Sequence, residues 1–247
     1  VMREMQELED GLSDLAGGTR TIGVAGISSP VRVLLPLALQ RFHLAHPEVR
    51  FDVHESSPGD VLAMLYARRA NLGIVAASSV AQASMSFVQV PLLDDPYVLV
   101  VPERLELDDV ANEEELSPTD RAVLNNAIHF VYGSQHQKRI EDWYGSVLPK
   151  HRVVARCRSF EVAVGMVRAG LGVCLAPALS CFAGDAVIGG VRLYDVPLDI
   201  PRPLVALVPS QYRHLLPYSA LIDALREAAR DHVRPRIGAV PPLLRRG

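Results

Sequence analysis

The chain has 247 residues, room for one large domain or two small ones. Hydrophobic residues make up 49% and charged residues 21%, which supports a sizeable core and excludes global disorder. The formal net charge of −3 gives no overall electrostatic reason to bind nucleic acid or an anionic membrane, and no apolar run approaches the ~20 residues that span a bilayer.

Along the first fifteen residues, Met2, Met5, Leu8, Leu12 and Leu15 recur at steps of three and four, an amphipathic helix stripe that Gly17 and Gly18 end. This start carries neither the basic nor the apolar region of a secretory signal, and beginning in mid-stripe it reads as the end of a longer helix. A strand is expected at 21–25, a break at 26–30, and a helix at 31–45 that Pro36 kinks or delays and Pro47 closes. Residues 50–55 alternate as a strand. Ser56-Ser57-Pro58-Gly59 breaks it, and a helix follows over 60–69. The continuous apolar run 72–76 suits a strand buried on both faces. Two further strands, 87–90 and 97–101, are set apart by Pro91 and Pro96.

The same alternation continues. The acidic stretch 105–116 reads as a helix or turn. Strand 127–132 precedes a helix from about 138 to 147, strand 153–157 a helix at 160–169, and strand 173–175 follows Gly170 and Gly172. Late strands are expected at 191–194 and 204–208, then an amphipathic helix at 217–232 with Leu221, Leu225 and Ala228 on one face. The basic, proline-rich tail from Arg234 onward is expected to be loose. Strands alternating with helices predict parallel βαβ units, and their number suits two five-stranded α/β lobes.

Ligands of open α/β sheets bind beyond the carboxyl ends of the strands. Four strand-to-helix turns here offer a hydroxyl or amide: Ser28 and Ser29 before Pro30, Ser56 and Ser57 before Pro58, Ser134 and Gln135, and Ser159 before Phe160. Serine is a preferred N-cap and proline a preferred first helical residue, so each serine alone is explained by capping. Together, beside free backbone N–H groups with a partial positive charge, they form a cradle for a small carboxylate or similar anion.

With these elements in order, the chain resembles the effector-binding domain of LysR-type transcriptional regulators, preceded by the end of their linker helix. The resemblance rests on Thr21-Ile22-Gly23-Val24-Ala25, on Leu34-Leu35-Pro36 with Phe42, Pro47 and Val49, and on Leu72-Gly73-Ile74-Val75. It extends through 92–101, Val164 to Pro177 and Arg202-Pro203-Leu204 with the last helix. One departure is Asn71 where the family has an acid, which should affect little beyond a local turn. Another is the absence of the winged helix-turn-helix that reads DNA, which the family would place upstream of Val1, so that this chain alone is not expected to bind an operator. The resemblance implies a type 2 periplasmic-binding-protein-like α/β fold of two Rossmann-like lobes joined by two crossover strands. Lobe I would comprise 19–96 and 200–232, and lobe II 97–199, with 1–18 a linker end and 233–247 a tail. It implies a small, anionic co-inducer between the lobes, at Ser28, Ser29, Ser56, Ser57, Tyr132, Gly133, Ser134, Gln135, Ser159, Phe160, Ala176 and Pro177. It also implies a homodimer through the 31–45 helix, tetramers of the full-length protein, and a cytoplasmic place without a cofactor.

Other readings have their own features. No G-x-S-x-G elbow, G-x-G-x-x-G turn or phosphate loop marks an enzyme, since Gly133-Ser134 lacks the second glycine. His43 and His46 lie three apart on a helix, where solvation explains them better than a metal. The odd count of cysteines (Cys157, Cys174, Cys181) suits a reducing compartment. One branch of the family senses peroxide through cysteines, and Cys157 between Arg156 and Arg158 is the candidate for a lowered pKa. An extracytoplasmic solute-binding protein would share the fold. Arg32 could face an anion or lie on a solvated helix face, and Tyr97 and Phe160 could stack on a ligand ring.

Overall fold

The computed structural model describes residues 20–80, 87–131, 134–198 and 200–245, with only the backbone of 134–137. The expected linker helix and the candidates Tyr132 and Gly133 lie outside the described residues.

The first strand, β1 (Thr21–Gly26), is buried from Ile22 onward. Pro36 divides the expected 31–45 helix into α1 (Ser28–Val33) and α2 (Leu35–Ala45), joined at Leu34. The proline then stands in the first turn of α2, where its missing N–H costs nothing. Next come β2 (Arg50–Glu55), α3 (Pro58–Tyr66) and β3 (Leu72–Ala76), whose five residues are all buried. Strand β4 (Phe87–Asp94) runs through Pro91 rather than ending there, because it is an edge strand and a proline can face outward.

Beyond β5 (Tyr97–Pro102), the acidic stretch holds a 3-10 turn at Glu113–Glu115, and helix α4 (Pro118–Leu124) follows. Its signal was present: Ser117 accepts a hydrogen bond from the Asp120 N–H, and Pro118 takes the first turn. Then come β6 (Asn126–Phe130), α5 (Ser134–Val147), β7 (Arg152–Cys157), α6 (Phe160–Arg168) and β8 (Cys174–Pro177). A short hairpin of β9 (Phe182–Ala183) and β10 (Ala186–Val187) precedes β11 (Val191–Asp195), β12 (Pro203–Pro209) and α7 (Tyr218–Asp231).

Two units divide these elements. The first comprises the described residues up to Leu93 together with Pro203–His232. Its sheet has the order β2-β1-β3-β12-β4, with β1 parallel to β2 and β3, and β12 antiparallel to β3. One face buries Ile22, Val24, Leu72 and Ile74 against Leu35, Phe42, Leu221 and Leu225. The other buries Val75, Val205 and Leu207 against Val61 and Leu65. Helices on both faces explain why β3 has no polar side. Asn71, at the family's acidic position, keeps a role: its side-chain oxygen accepts from the Gly23 N–H at 2.8 Å.

The second unit comprises Asp94–Arg202 and the described part of Val233–Gly247. The order β11-β5-β8 forms one sheet, and parallel β6-β7 another. Val173 joins them by a parallel bridge to Ala127, with hydrogen bonds of 2.8 Å to Asn126 and Ile128. Here the two strand groups come close because Gly172 has no side chain; a Cβ there would meet the Asn126 carbonyl oxygen at 2.1 Å. The core holds Leu99, Val101, Leu105, Leu124, Trp143, Tyr144 and Leu175.

The tail is a correction. Rather than loose, it belongs to the second unit: Gly238 bridges Tyr194, and Leu243 and Leu244 are buried in that unit's core. Apolar residues within a basic segment make docking favourable, which average composition conceals. The chain passes between units after Leu93, Arg202 and His232, which differs from the expected borders at 96 and 200.

Candidate functional site

In the first unit, the candidate residues gather around Gly26 at the carboxyl end of β1. The Ser56 N–H donates to the Gly26 carbonyl at 2.9 Å, and the Ile27 N–H donates to the Ile74 carbonyl at 3.0 Å. The turns after β1 and β2 are thereby fastened together beside the end of β3. Glycine is required at 26, since a Cβ would lie 2.5 Å from the Val31 side chain and 3.1 Å from the Ile74 carbonyl oxygen. Ser28 and Ser29 were expected to cap the following helix. Instead Ile27 is the extended N-cap, without a side-chain bond, and both serines lie inside the first turn. Ser29 is buried and Ser28 half-buried.

Ser57 does cap α3, accepting from the Asp60 N–H at 3.3 Å and donating to the Asp60 carboxylate at 2.6 Å. That carboxylate occupies the serine hydroxyl and brings negative charge to the helix start, so Ser57 is the least suited of the four to an anion. Ser56 is half-buried, its hydroxyl near the Met64 sulfur at 4.0 Å. Arg32 is exposed on α1. His43 is exposed on α2, and His46 lies at its end with its ring 4.7 Å from that of Phe42. Among the described residues, no group of three or more His, Cys, Asp or Glu side chains could hold a metal ion.

In the second unit, Ser159 caps α6, accepting from the Val162 N–H at 3.3 Å and donating to the Glu161 carboxylate at 3.0 Å. Phe160 stacks on Phe130 at 3.9 Å with planes 9° apart, and meets the Tyr97 ring edge at 6.3 Å. Tyr97 is paired with Pro177 and Val98 with Ala176 in the β5–β8 ladder. Phe160, Ala176 and Pro177 therefore lie about one aromatic cluster, and Tyr97 and Phe160 pack against each other. Ser134 and Gln135 form the first turn of α5, four residues earlier than expected, and their side chains lie outside the described atoms.

Two residues of this cluster were not anticipated. Asp95 is 1% exposed and Arg202 7%, and the Arg202 guanidinium donates to the Asp95 carboxylate. The other carboxylate oxygen accepts from the Leu179 N–H at 2.9 Å, two residues beyond Pro177. The guanidinium carbon also lies 6.0 Å from the Phe160 ring centre. Burial holds the Asp95 carboxyl above the usual carboxylate range, with Arg202 and the Leu179 N–H pulling it partly back. The only sequence signal was a charged residue flanked by proline at each place, Asp95-Pro96 and Arg202-Pro203. Nothing local pairs residues so far apart in the chain.

The cysteines correct a further expectation. Burial raises the Cys157 thiol, partly offset by a hydrogen bond with the backbone of Ser159, and the adjacent arginines do not lower it. Arg156 precedes it within β7, where successive side chains leave on opposite faces, and Arg158 lies beyond the end of that strand. Cys174 and Cys181 are fully buried, and burial drives the Cys174 thiol well up.

The LysR substrate binding domain matches residues 15–230 of the chain. Among curated proteins, the hydrogen peroxide-inducible genes activator of Dickeya chrysanthemi is 26% identical over 246 residues, covering 95% of this chain and 73% of that protein. The dual regulator OxyR of Escherichia coli K12 is 27% identical, covering 93% and 72%. Among solved structures, HinK, a LysR family regulator of Pseudomonas aeruginosa, superposes with a TM-score of 0.63 at 17% identity, over 91% of this chain and 77% of that one. The reduced form of OxyR superposes with a TM-score of 0.61 at 21% identity, over 87% and 98%. The fold is thus the periplasmic-binding-protein-like α/β fold of LysR regulatory domains. That family is a class of transcriptional regulators, not of enzymes. By this match over most of its length, the chain belongs to the LysR substrate-binding-domain family.

Proposed function

We propose that this chain is the ligand-sensing part of a LysR-type transcriptional regulator and that it binds a small carboxylate or similarly anionic co-inducer. The observation that carries this reading is the meeting of the Ser28–Ser29 and Ser56 turns at the ends of parallel strands, where Gly26 lets Val31 and the Ile74 carbonyl pack close and so brings the turns together. Helix starts and their N–H groups favour an anion at such a place. In this reading one ligand engages both lobes, with the Phe160 cluster and the α5 start contributing from lobe II. Its differential affinity for two arrangements of the lobes supplies the signal, typically ~1–3 kcal/mol of coupling. The regulator acts in the cytoplasm as a homodimer through the 31–45 segment and assembles into tetramers at full length, and DNA recognition rests with a winged helix-turn-helix domain.

The test is a thermal-shift screen of the 247-residue chain against aliphatic and aromatic carboxylates, repeated on Ser29→Leu. Binding to the native state raises stability by about 2.7 kcal/mol at a hundredfold excess over Kd. A saturable rise for one chemical group, lost in Ser29→Leu while the unliganded Tm holds, is the expected result. An equal rise in both proteins would misplace the site.

The names of the curated relatives favour one second reading, a peroxide sensor. The cysteines argue against a thiolate mechanism here, since Cys174 and Cys181 are shut from solvent and the Cys157 thiol is raised. Mass spectrometry after mild peroxide treatment with thiol trapping decides it. We expect all three thiols to stay reduced, and rapid sulfenic acid or disulfide formation would establish the redox reading.

A further inference from the structure

The family match ends at residue 230, yet the chain goes on to build part of the second unit. We infer that residues 233–245 form a strap, which completes the second unit's core and adds a third covalent connection between the two units. Three observations carry this.

The docking is specific. The Gly238 N–H donates to the Leu193 carbonyl at 2.8 Å, and the Asp195 N–H donates to the Gly238 carbonyl at 2.9 Å, so the strap adds a short rung beside β11. Only glycine fits there, because a Cβ at 238 would meet the Tyr194 ring at 2.8 Å and the Leu193 carbonyl oxygen at 3.1 Å. Leu243 and Leu244, exposed by 5% and 0%, then enter the core with Leu105, Leu107 and Trp143, and the Leu243 N–H donates to the Val110 carbonyl at 2.9 Å. A composition-driven tail would show neither the sterically required glycine nor two buried leucines.

The strap is also fastened where the chain leaves and enters the second unit. Arg234, just after the third passage, donates to the Asp94 carbonyl at 2.7 Å, just after the first. Asp95 is joined to Arg202, the last residue before the second passage, by the buried ion pair and by a backbone hydrogen bond of 3.1 Å. The residues flanking all three passages are therefore tied to one another within the second unit. Each extra connection removes conformational freedom from the pair of units, as closing a loop does. A sensor that works by a shift between two arrangements has its range set by such a restraint.

The experiment separates the strap's two roles. Spin labels at Asp109→Cys and Glu227→Cys, one in each unit and both exposed, are placed in a Cys157→Ser background, and their distance distribution is measured by pulsed electron resonance. About twelve Gly and Ser residues are then inserted between His232 and Val233, a length that frees the connection without removing the strap. The expected result is a broader distribution while the Asp195 amide stays protected from hydrogen exchange. An unchanged distribution with the strap still docked overturns the restraint. Separately, Gly238→Val and deletion of 234–247 should each lose Asp195 protection and lower the Tm. If both leave these unchanged, the docking is wrong. Neither readout uses an effector, so failure of the strap and failure of the effector site are distinguishable.

Discussion

His129 shows how one buried side chain sets a dependence on pH. It is 4% exposed, with its ring 4.8 Å from Tyr144 and 6.1 Å from His151. Burial lowers its pKa from 6.5, and His151 and Arg156 lower it further, against a smaller opposing pull from Glu141. Below pH 6.5 the unfolded chain takes up a proton that the folded chain refuses, so stability is full above 6.5 and falls as the pH drops. The slope reaches at most about 1.4 kcal/mol per pH unit for this one group. Thermal unfolding between pH 7.5 and 5 should show a falling Tm, shallower in His129→Gln. Equal slopes in both proteins would assign the fall to other groups. The same scale explains why the Cys157 expectation failed: burial of the thiol dominates, Arg156 leaves β7 on the opposite face, and Arg158 lies beyond the strand.

Between elements, the Asp95–Arg202 pair links the segment between β4 and β5 to the start of β12, with Leu179 after β8 as a third partner. Removing one partner of a buried pair leaves an uncompensated charge and commonly costs about 3–5 kcal/mol. Asp95→Ala should therefore destabilise strongly in urea titration, whereas Ser57→Ala, at an exposed cap, should cost about 1 kcal/mol. Comparable losses would mean that the pair is solvated in solution. Elements also mark where sequence reading held. The run 72–76 is the buried strand β3, residues 50–55 are β2, and the Pro36 break falls as expected. These signals are local: apolar continuity, turn residues and the missing N–H of proline. Pro91 misled because its effect depends on whether the strand lies at an edge, which the sheet alone decides.

Across the whole molecule, each unit has its own core, so damage to one should register mainly there. Leu124→Ala, at a fully buried position of the second unit, removes packing usually worth about 2–5 kcal/mol. Native-state hydrogen exchange should show faster opening of β5 and β8 amides, with β1 and β3 amides less affected. A uniform loss across both would show that the units unfold as one. Much of the molecule follows from sequence alone: the alternation of strands and helices, the two α/β lobes, the family, and the serine turns at strand ends. Each rests on periodicity, on turn chemistry, or on motifs within a few tens of residues. Only the tertiary structure decided which serines cap helices, which thiols are buried, that Asp95 finds Arg202, and that the tail docks through Gly238 and two leucines. The physical reason is that burial and pairing depend on what the rest of the chain brings near, and no local pattern records that.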